Sequence, residues 1–271
     1  MNNFGDVKNI FIEGDVFDYI GLNKSVFAYE KLVKSLQKPL KLVLFYGDPG
    51  SGKTFILKKI YQDLSPGQKI VFLPQPFFDE GSFLSTLHSE IFPEDEYIQI
   101  SGYEKFLKLY KIKTSNSQDS KDVIVLLDEA QLYPVDLIEK IRLLSDTRLF
   151  KFLFTIHESK KENILAKDYF KTRIWESIKM PNSSLAEVEN YLKKKFLLHN
   201  KIEFFSLFKP SRIKLIFKLT RGNLREINKL MYKLFEIYEY YELNQPLLMD
   251  KNPSKIKYLQ MAAIDSGLIH A

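Results

Sequence analysis

Eight consecutive residues, Gly47-Asp48-Pro49-Gly50-Ser51-Gly52-Lys53-Thr54, fit the pattern G-x-x-x-x-G-K-[ST] in full. Each residue type has a chemical reason to be there. Glycines let the backbone curl so that successive N–H groups face one anion. The Lys53 ammonium can reach the outer phosphates of a triphosphate, and the Thr54 hydroxyl can ligate Mg²⁺. A second set follows further along. Val123-Ile124-Val125-Leu126-Leu127 is an unbroken apolar run that delivers Asp128 and Glu129 at its end. Asp128 can hold the magnesium through water, and Glu129 can polarise the water that attacks phosphorus.

These groups work only if regular elements hold them. Lys41–Tyr46 is a short run rich in β formers, and a helical pattern runs from about Gly52 to Leu64. The Gly-rich segment therefore sits between a strand and a helix, whose N-terminus attracts phosphate. Further strands are predicted over Lys69–Leu73, Val123–Leu127, Phe150–Ile156 and Ile174–Met180. Helical spacing fills about 23–37, 80–92, 102–112 and 135–145. Alternating strands and helices indicate a parallel α/β sheet. After Pro181 the pattern is helix only. Ser184 and Glu187 form a capping box, which opens a helix to about Leu198. Others are expected over about 210–219, 223–242 and 253–264. The expected architecture is a three-layer α/β/α domain with a five-stranded parallel sheet over residues 1–181, then an all-helical lid over 182–271.

Composition narrows the remaining chemistry. The 271 residues contain no Cys, which excludes disulfides, thiolate zinc sites, iron–sulfur clusters and Cys nucleophiles. His88, His157, His199 and His270 form no H-x-x-x-H pair. The start is acidic and lacks a signal-peptide core, and no apolar run approaches the length of a membrane span. The expectation is a cytoplasmic protein with no integral membrane segment. The GTPase base reader N-K-x-D is missing: Asn23-Lys24-Ser25-Val26 and Asn228-Lys229-Leu230-Met231 both lack the Asp.

With the loop, the acidic pair and the lid segment Gly222-Asn223-Leu224-Arg225-Glu226-Ile227-Asn228 in place, the chain resembles an AAA+ P-loop ATPase. The lid segment resembles the G-N-x-R-x-I-N signature of the ExeA, or general secretion pathway A, ATPases. It is also similar to origin-recognition-type and transposition ATPases. The resemblance implies ATP and Mg²⁺ as cofactors, with Thr54 and Asp128 as metal ligands. It implies nucleotide contacts from Gly47, Asp48, Pro49, Gly50, Ser51, Gly52, Lys53, Thr54 and Phe55, and from Tyr19, Ile20 and Leu22 ahead of the first helix. Glu129 and Lys53 become catalytic. Arg225 matches the lid arginine that reaches the γ-phosphate within one subunit. Arg173 matches the arginine finger offered to a neighbour, which implies a homo-oligomer with nucleotide at the subunit interface. A polar sensor belongs at the end of the fourth strand, where Thr155 and His157 both qualify and His157 is chosen. Gln75 matches a residue that restrains the catalytic Glu. A secretion, pilus or DNA-uptake machine is the implied partner, with a nucleic-acid partner as the alternative. ExeA continues into a membrane span and a peptidoglycan-binding region, which this sequence lacks.

The formal charge of +6 has a location. Residues 1–180 hold 25 basic and 25 acidic side chains, whereas 181–271 hold 15 and 9. The whole excess falls in the expected lid, where it suits an acidic partner or phosphates.

Overall fold

The computed structural model describes residues 4–12, 20–115, 122–160, 173–249 and 255–269. Five strands form one sheet: β1 (Leu42–Gly47), β2 (Ile70–Leu73), β3 (Val123–Leu127), β4 (Phe150–His157) and β5 (Ile174–Met180). Their order is β2-β3-β4-β1-β5, and every pair is parallel. This is the five-stranded parallel sheet that the sequence predicts. Helix α2 (Asn23–Gln37) precedes β1; parallel neighbours require long crossovers, and these carry α3 (Lys53–Leu64), α4 (Glu80–Ile91), α5 (Tyr103–Thr114) and α6 (Val135–Asp146). Every residue of β3 is buried, as its apolar run demands. The edge strand β5 instead alternates, with Glu176 and Lys179 interrupting its apolar side chains.

The chain divides into two compact units. One comprises Phe27–Gly47 and Lys53–Met180. Its core joins the strands to α4, α5 and α6 through Phe83, Leu87, Phe106, Leu127, Ile141 and Phe152. The other comprises Met1–Val26, Asp48–Gly52 and Pro181–Ala271. It holds α1 (Phe4–Asn9), α7 (Leu185–Leu198), α8 (Pro210–Thr220), α9 (Leu224–Asn244), α10 (Pro246–Met249) and α11 (Ile256–Asp265).

The grouping of residues 1–26 differs from the expected division at 181, and its cause is packing. Phe4, Val7 and Phe11 are buried in the core of the helical unit. The Phe4 ring lies 5.5 Å from Phe204, and the Phe11 ring stacks on Phe235 at 5.8 Å. A six-residue helix has no stability of its own, so only this burial explains α1.

Local chemistry fixes the helical unit as the sequence foretold. Ser184 and Glu187 form the capping box of α7. Pro210 opens α8 at a position that needs no N–H donor. Arg212 is buried, and its guanidinium donates to the Leu207 carbonyl at 2.9 Å and the Tyr238 hydroxyl at 2.8 Å. Among the described residues, no helix is long and apolar enough to cross a membrane.

Candidate functional site

In the sheet unit, chemistry gathers where the parallel strands end. Gly47 of β1 pairs with His157 of β4, and Leu127 of β3 pairs with Phe154. The residue after Leu127 is therefore level with Thr155. Asp128 is buried and fully engaged. Thr54 Oγ1 donates to its Oδ2 at 2.6 Å. The Glu129 N–H donates to Oδ1 at 3.0 Å, and Thr155 Oγ1 donates to the same oxygen. The Glu129 N–H also reaches Thr155 Oγ1 at 3.0 Å. Glu129 itself takes the left-handed conformation, with φ at 52°. That is uncommon for a residue with a side chain and here turns the chain sharply at the strand end.

The Glu129 carboxylate has its own supports. Gln131 Nε2 donates to Oε2, and His157 Nε2 lies 3.0 Å from the same oxygen. The His157 backbone N–H donates to Gln131 Oε1 at 3.3 Å, so the two residues that brace Glu129 also brace each other. Gln131, not the expected Gln75, therefore restrains Glu129. The Gln75 side chain is exposed, and its carbonyl accepts from Tyr133 Oη at 3.4 Å. Burial, with the Asp128 charge nearby, keeps the Tyr133 phenol protonated well above its usual range. Lys53 is buried, and its Nζ donates to the Gly47 carbonyl at 3.0 Å. Phe55, one residue after Thr54, is half-buried.

The loop residues Asp48–Gly52 group with the helical unit. Gly50 and Gly52 have φ of 78° and 104°, values that glycine adopts without strain. A Cβ on Gly50 would stand 2.5 Å from Asn223 Oδ1 and 2.6 Å from the Arg225 Cβ. Asn223 Nδ2 donates to the Pro49 carbonyl at 2.6 Å, while its Oδ1 caps α9 by accepting from the Arg225 N–H. Asn182 Nδ2 donates to Asp48 Oδ2 at 2.9 Å. The sequence reading assigned no role to Lys24. Its buried Nζ donates to the Ser51 carbonyl at 3.3 Å and the Pro181 carbonyl at 3.0 Å. Its own N–H donates to Glu187 of the capping box at 2.9 Å. Burial pushes the Lys24 amine down to about 8, against an upward pull from Glu187.

The residues present fit a magnesium triphosphate. Ser51 Oγ is buried without a partner among the described residues, in the loop whose N–H groups suit an anion. Thr54 and Asp128 bring two hard oxygens together. Magnesium suits such a site because it takes few protein ligands and completes its shell with phosphate and water.

Other expected residues fall elsewhere. Leu22 is buried in the helical core with Ile20 packed against that core, and Tyr19 lies outside the described residues. Arg173 sits at the start of β5, where its Nε is 3.2 Å from both Asp146 carboxylate oxygens. Arg225 is exposed at the second position of α9.

Residues 37–165 match the family model of an AAA domain. Among solved structures, Cdc6p from Pyrobaculum aerophilum matches with TM-score 0.63 and 13% identity, covering 87% of this chain and 66% of that one. Drosophila ORC bound to DNA matches with TM-score 0.65 and 11% identity, covering 96% and 64%. The ORC2 protein of Aeropyrum pernix in its ADP form gives 0.61 and 15%, covering 94% and 72%. The chain has the AAA+ P-loop fold. It spans just under two thirds of the length of the first two structures. No curated protein matches the sequence. Within the sheet unit, the acidic pair and the end of β4 stand at the carboxyl ends of parallel strands, where open α/β sheets bind their ligands.

Proposed function

We propose that this AAA+ chain binds and hydrolyses Mg-ATP and works as an oligomerising switch. The bond from Thr54 to Asp128 carries the reading, because it brings together the two side chains that hold magnesium in such sites. Lys53 and the loop amides bind the phosphates. A bound magnesium ion supplies charge neutralisation on them. Glu129, aimed by Gln131 and His157, orients the attacking water and accepts its proton. Arg225, on the helix capped against the loop, reads the γ-phosphate. Arg173 serves a neighbouring subunit, after leaving Asp146.

Glu129→Gln is expected to keep ATP binding and lose turnover by about 10²–10⁴-fold. A variant that turns over at the parent rate would overturn the reading. Arg173→Ala is expected to bind ATP and lose hydrolysis. Wild-type turnover in that variant removes the finger assignment while leaving the site intact.

The client has two readings. A secretion, pilus or DNA-uptake machine rests on the resemblance of the lid segment. A DNA-binding regulator of initiator or transposition type draws support from the solved neighbours, since Drosophila ORC is bound to DNA and Aeropyrum pernix ORC1 is in complex with DNA. Duplex binding with ATP, measured across salt concentration, tests the second reading. A steep loss of affinity with salt is expected, and no binding at low salt removes it.

A further inference from the structure

The starting ends of the same strands carry a groove that the nucleotide reading does not use. Its volume is about 650 Å³, a size that suits a small organic ligand. The groove forms where strands begin. Lys41 precedes β1, Lys151 lies at the start of β4, and Arg173 and Trp175 flank the first residue of β5. Gly47 and His157 stand at the other ends of β1 and β4, one strand length away, or roughly 20 Å.

Three observations point to a ligand. The first is charge. The lining holds Lys41, Arg148, Lys151 and Arg173 against Asp122 and Asp146, a surplus of two positive charges. Asp146 is shared by Lys41 at 2.9 Å and Arg173 at 3.2 Å, and Lys151 lies 3.4 Å from Asp122. Arg148 has no side-chain partner among the described residues. The second is backbone. Arg148 follows the C-terminus of α6 with φ at 62°, a left-handed position that glycine ordinarily fills. A cation with no partner among the described residues thus stands where folding alone favours no side chain. The third is the ring. Trp175 is the only tryptophan in the chain, yet it is 77% exposed.

We propose that this groove binds single-stranded nucleic acid, with one base stacked on Trp175 and the adjoining phosphates held by Arg148 and Lys151. Stacking platforms beside a cationic track are how unpaired strands are held, and a paired base offers no free face to the ring. A protein partner would call for an apolar patch, but Trp175 is the one large hydrophobic residue of the lining that is exposed. Arg173 is not needed on the strand, so the groove makes no demand on the role proposed for it toward a neighbouring subunit. The proposal rests on the nucleic-acid reading above and gives it a place and a strand type.

Because Trp175 is unique, its fluorescence reports the groove directly. Titrating an oligothymidine strand of about 20 nucleotides into the full chain at low salt should quench that emission, with affinity falling steeply as salt rises. In anisotropy with a labelled strand, Trp175→Ala should weaken binding roughly tenfold. Arg148→Gly should also weaken it severalfold, although glycine suits that backbone and the thermal midpoint should hold or rise. Lys53→Ala should leave strand binding unchanged, which separates this site from the ATP site. Strand binding that survives both groove substitutions overturns the proposal and leaves the nucleic-acid reading standing. No binding of strand or duplex at low salt overturns both. Equal affinity for free thymidine monophosphate overturns the strand assignment in favour of a small-nucleotide pocket. An emission change that follows protein concentration alone assigns the ring to a second copy of the chain and overturns the proposal.

Discussion

Asp128 accepts from Thr54, Thr155 and the Glu129 amide, so each partner has a measurable share of the site. Replacing Thr155 by Val removes one donor from a buried carboxylate at nearly constant volume. A loss of about 1–3 kcal/mol in stability is expected in chemical denaturation. Turnover should fall further than ATP affinity, because Thr155 also positions the Glu129 amide. The loop and the acidic pair were legible in the sequence because a complete G-x-x-x-x-G-K-[ST] lies between a strand and a helix, and the Asp-Glu pair follows it on a second apolar run. It left Thr155 and His157 unresolved for a physical reason. They are two apart on a strand, so both point to the same face. In the folded protein each meets a different carboxylate, Thr155 that of Asp128 and His157 that of Glu129. Gln131 was assigned no role toward Glu129, because spacing alone does not show that a side chain two residues on turns back to meet that carboxylate.

At the level of elements, Lys24 joins three segments: the start of α2, the loop at Ser51 and the connection at Pro181. Its amine titrates near 8 when folded against 10.5 when free. Between those values the unfolded chain binds the proton that the folded chain has released, so this group makes stability rise with pH. Below about 8 both states are protonated, and the cost of the buried charge, roughly 3 kcal/mol, is fully present. Lys24→Met should flatten that rise, as read from denaturation midpoints at pH 7.5 and 10 in parent and variant. Gly222 sets a second constraint. Its φ is 72°, and an added Cβ would lie 1.9 Å from the Ser183 carbonyl. Gly222→Ala should cost at least about 2 kcal/mol and shift the thermal midpoint accordingly. The strands and most helices lie within a few residues of their expected bounds, because apolar runs and helical spacing are local signals. The unit to which residues 4–12 belong was not legible. The ion pair that marks it, Lys8 with Glu239, joins residues 231 apart.

At the scale of the molecule, the described residues form two hydrophobic cores, and one of them is discontinuous in sequence. Phe4→Ala should destabilise the helical unit by about 3–5 kcal/mol, because it empties a site walled by Phe204, Phe235 and Tyr238. A fragment of residues 181–271 should melt without a cooperative transition, and adding a peptide of residues 1–26 should restore one. Calorimetry on the fragment with and without the peptide checks this. The same arrangement governs the order of events at the ribosome. Synthesis proceeds at about 5–20 residues per second, so α1 emerges roughly 10–50 seconds before α9 is made. For that time Phe4, Val7 and Phe11 have no core to enter. The sheet waits as well, since β1 lies between β4 and β5 and gains its neighbours only after residue 150. Until those partners are made, the nascent chain presents the apolar side chains of α1 and an unpaired β1, and chaperone binding at these two elements is where its folding is most open to control.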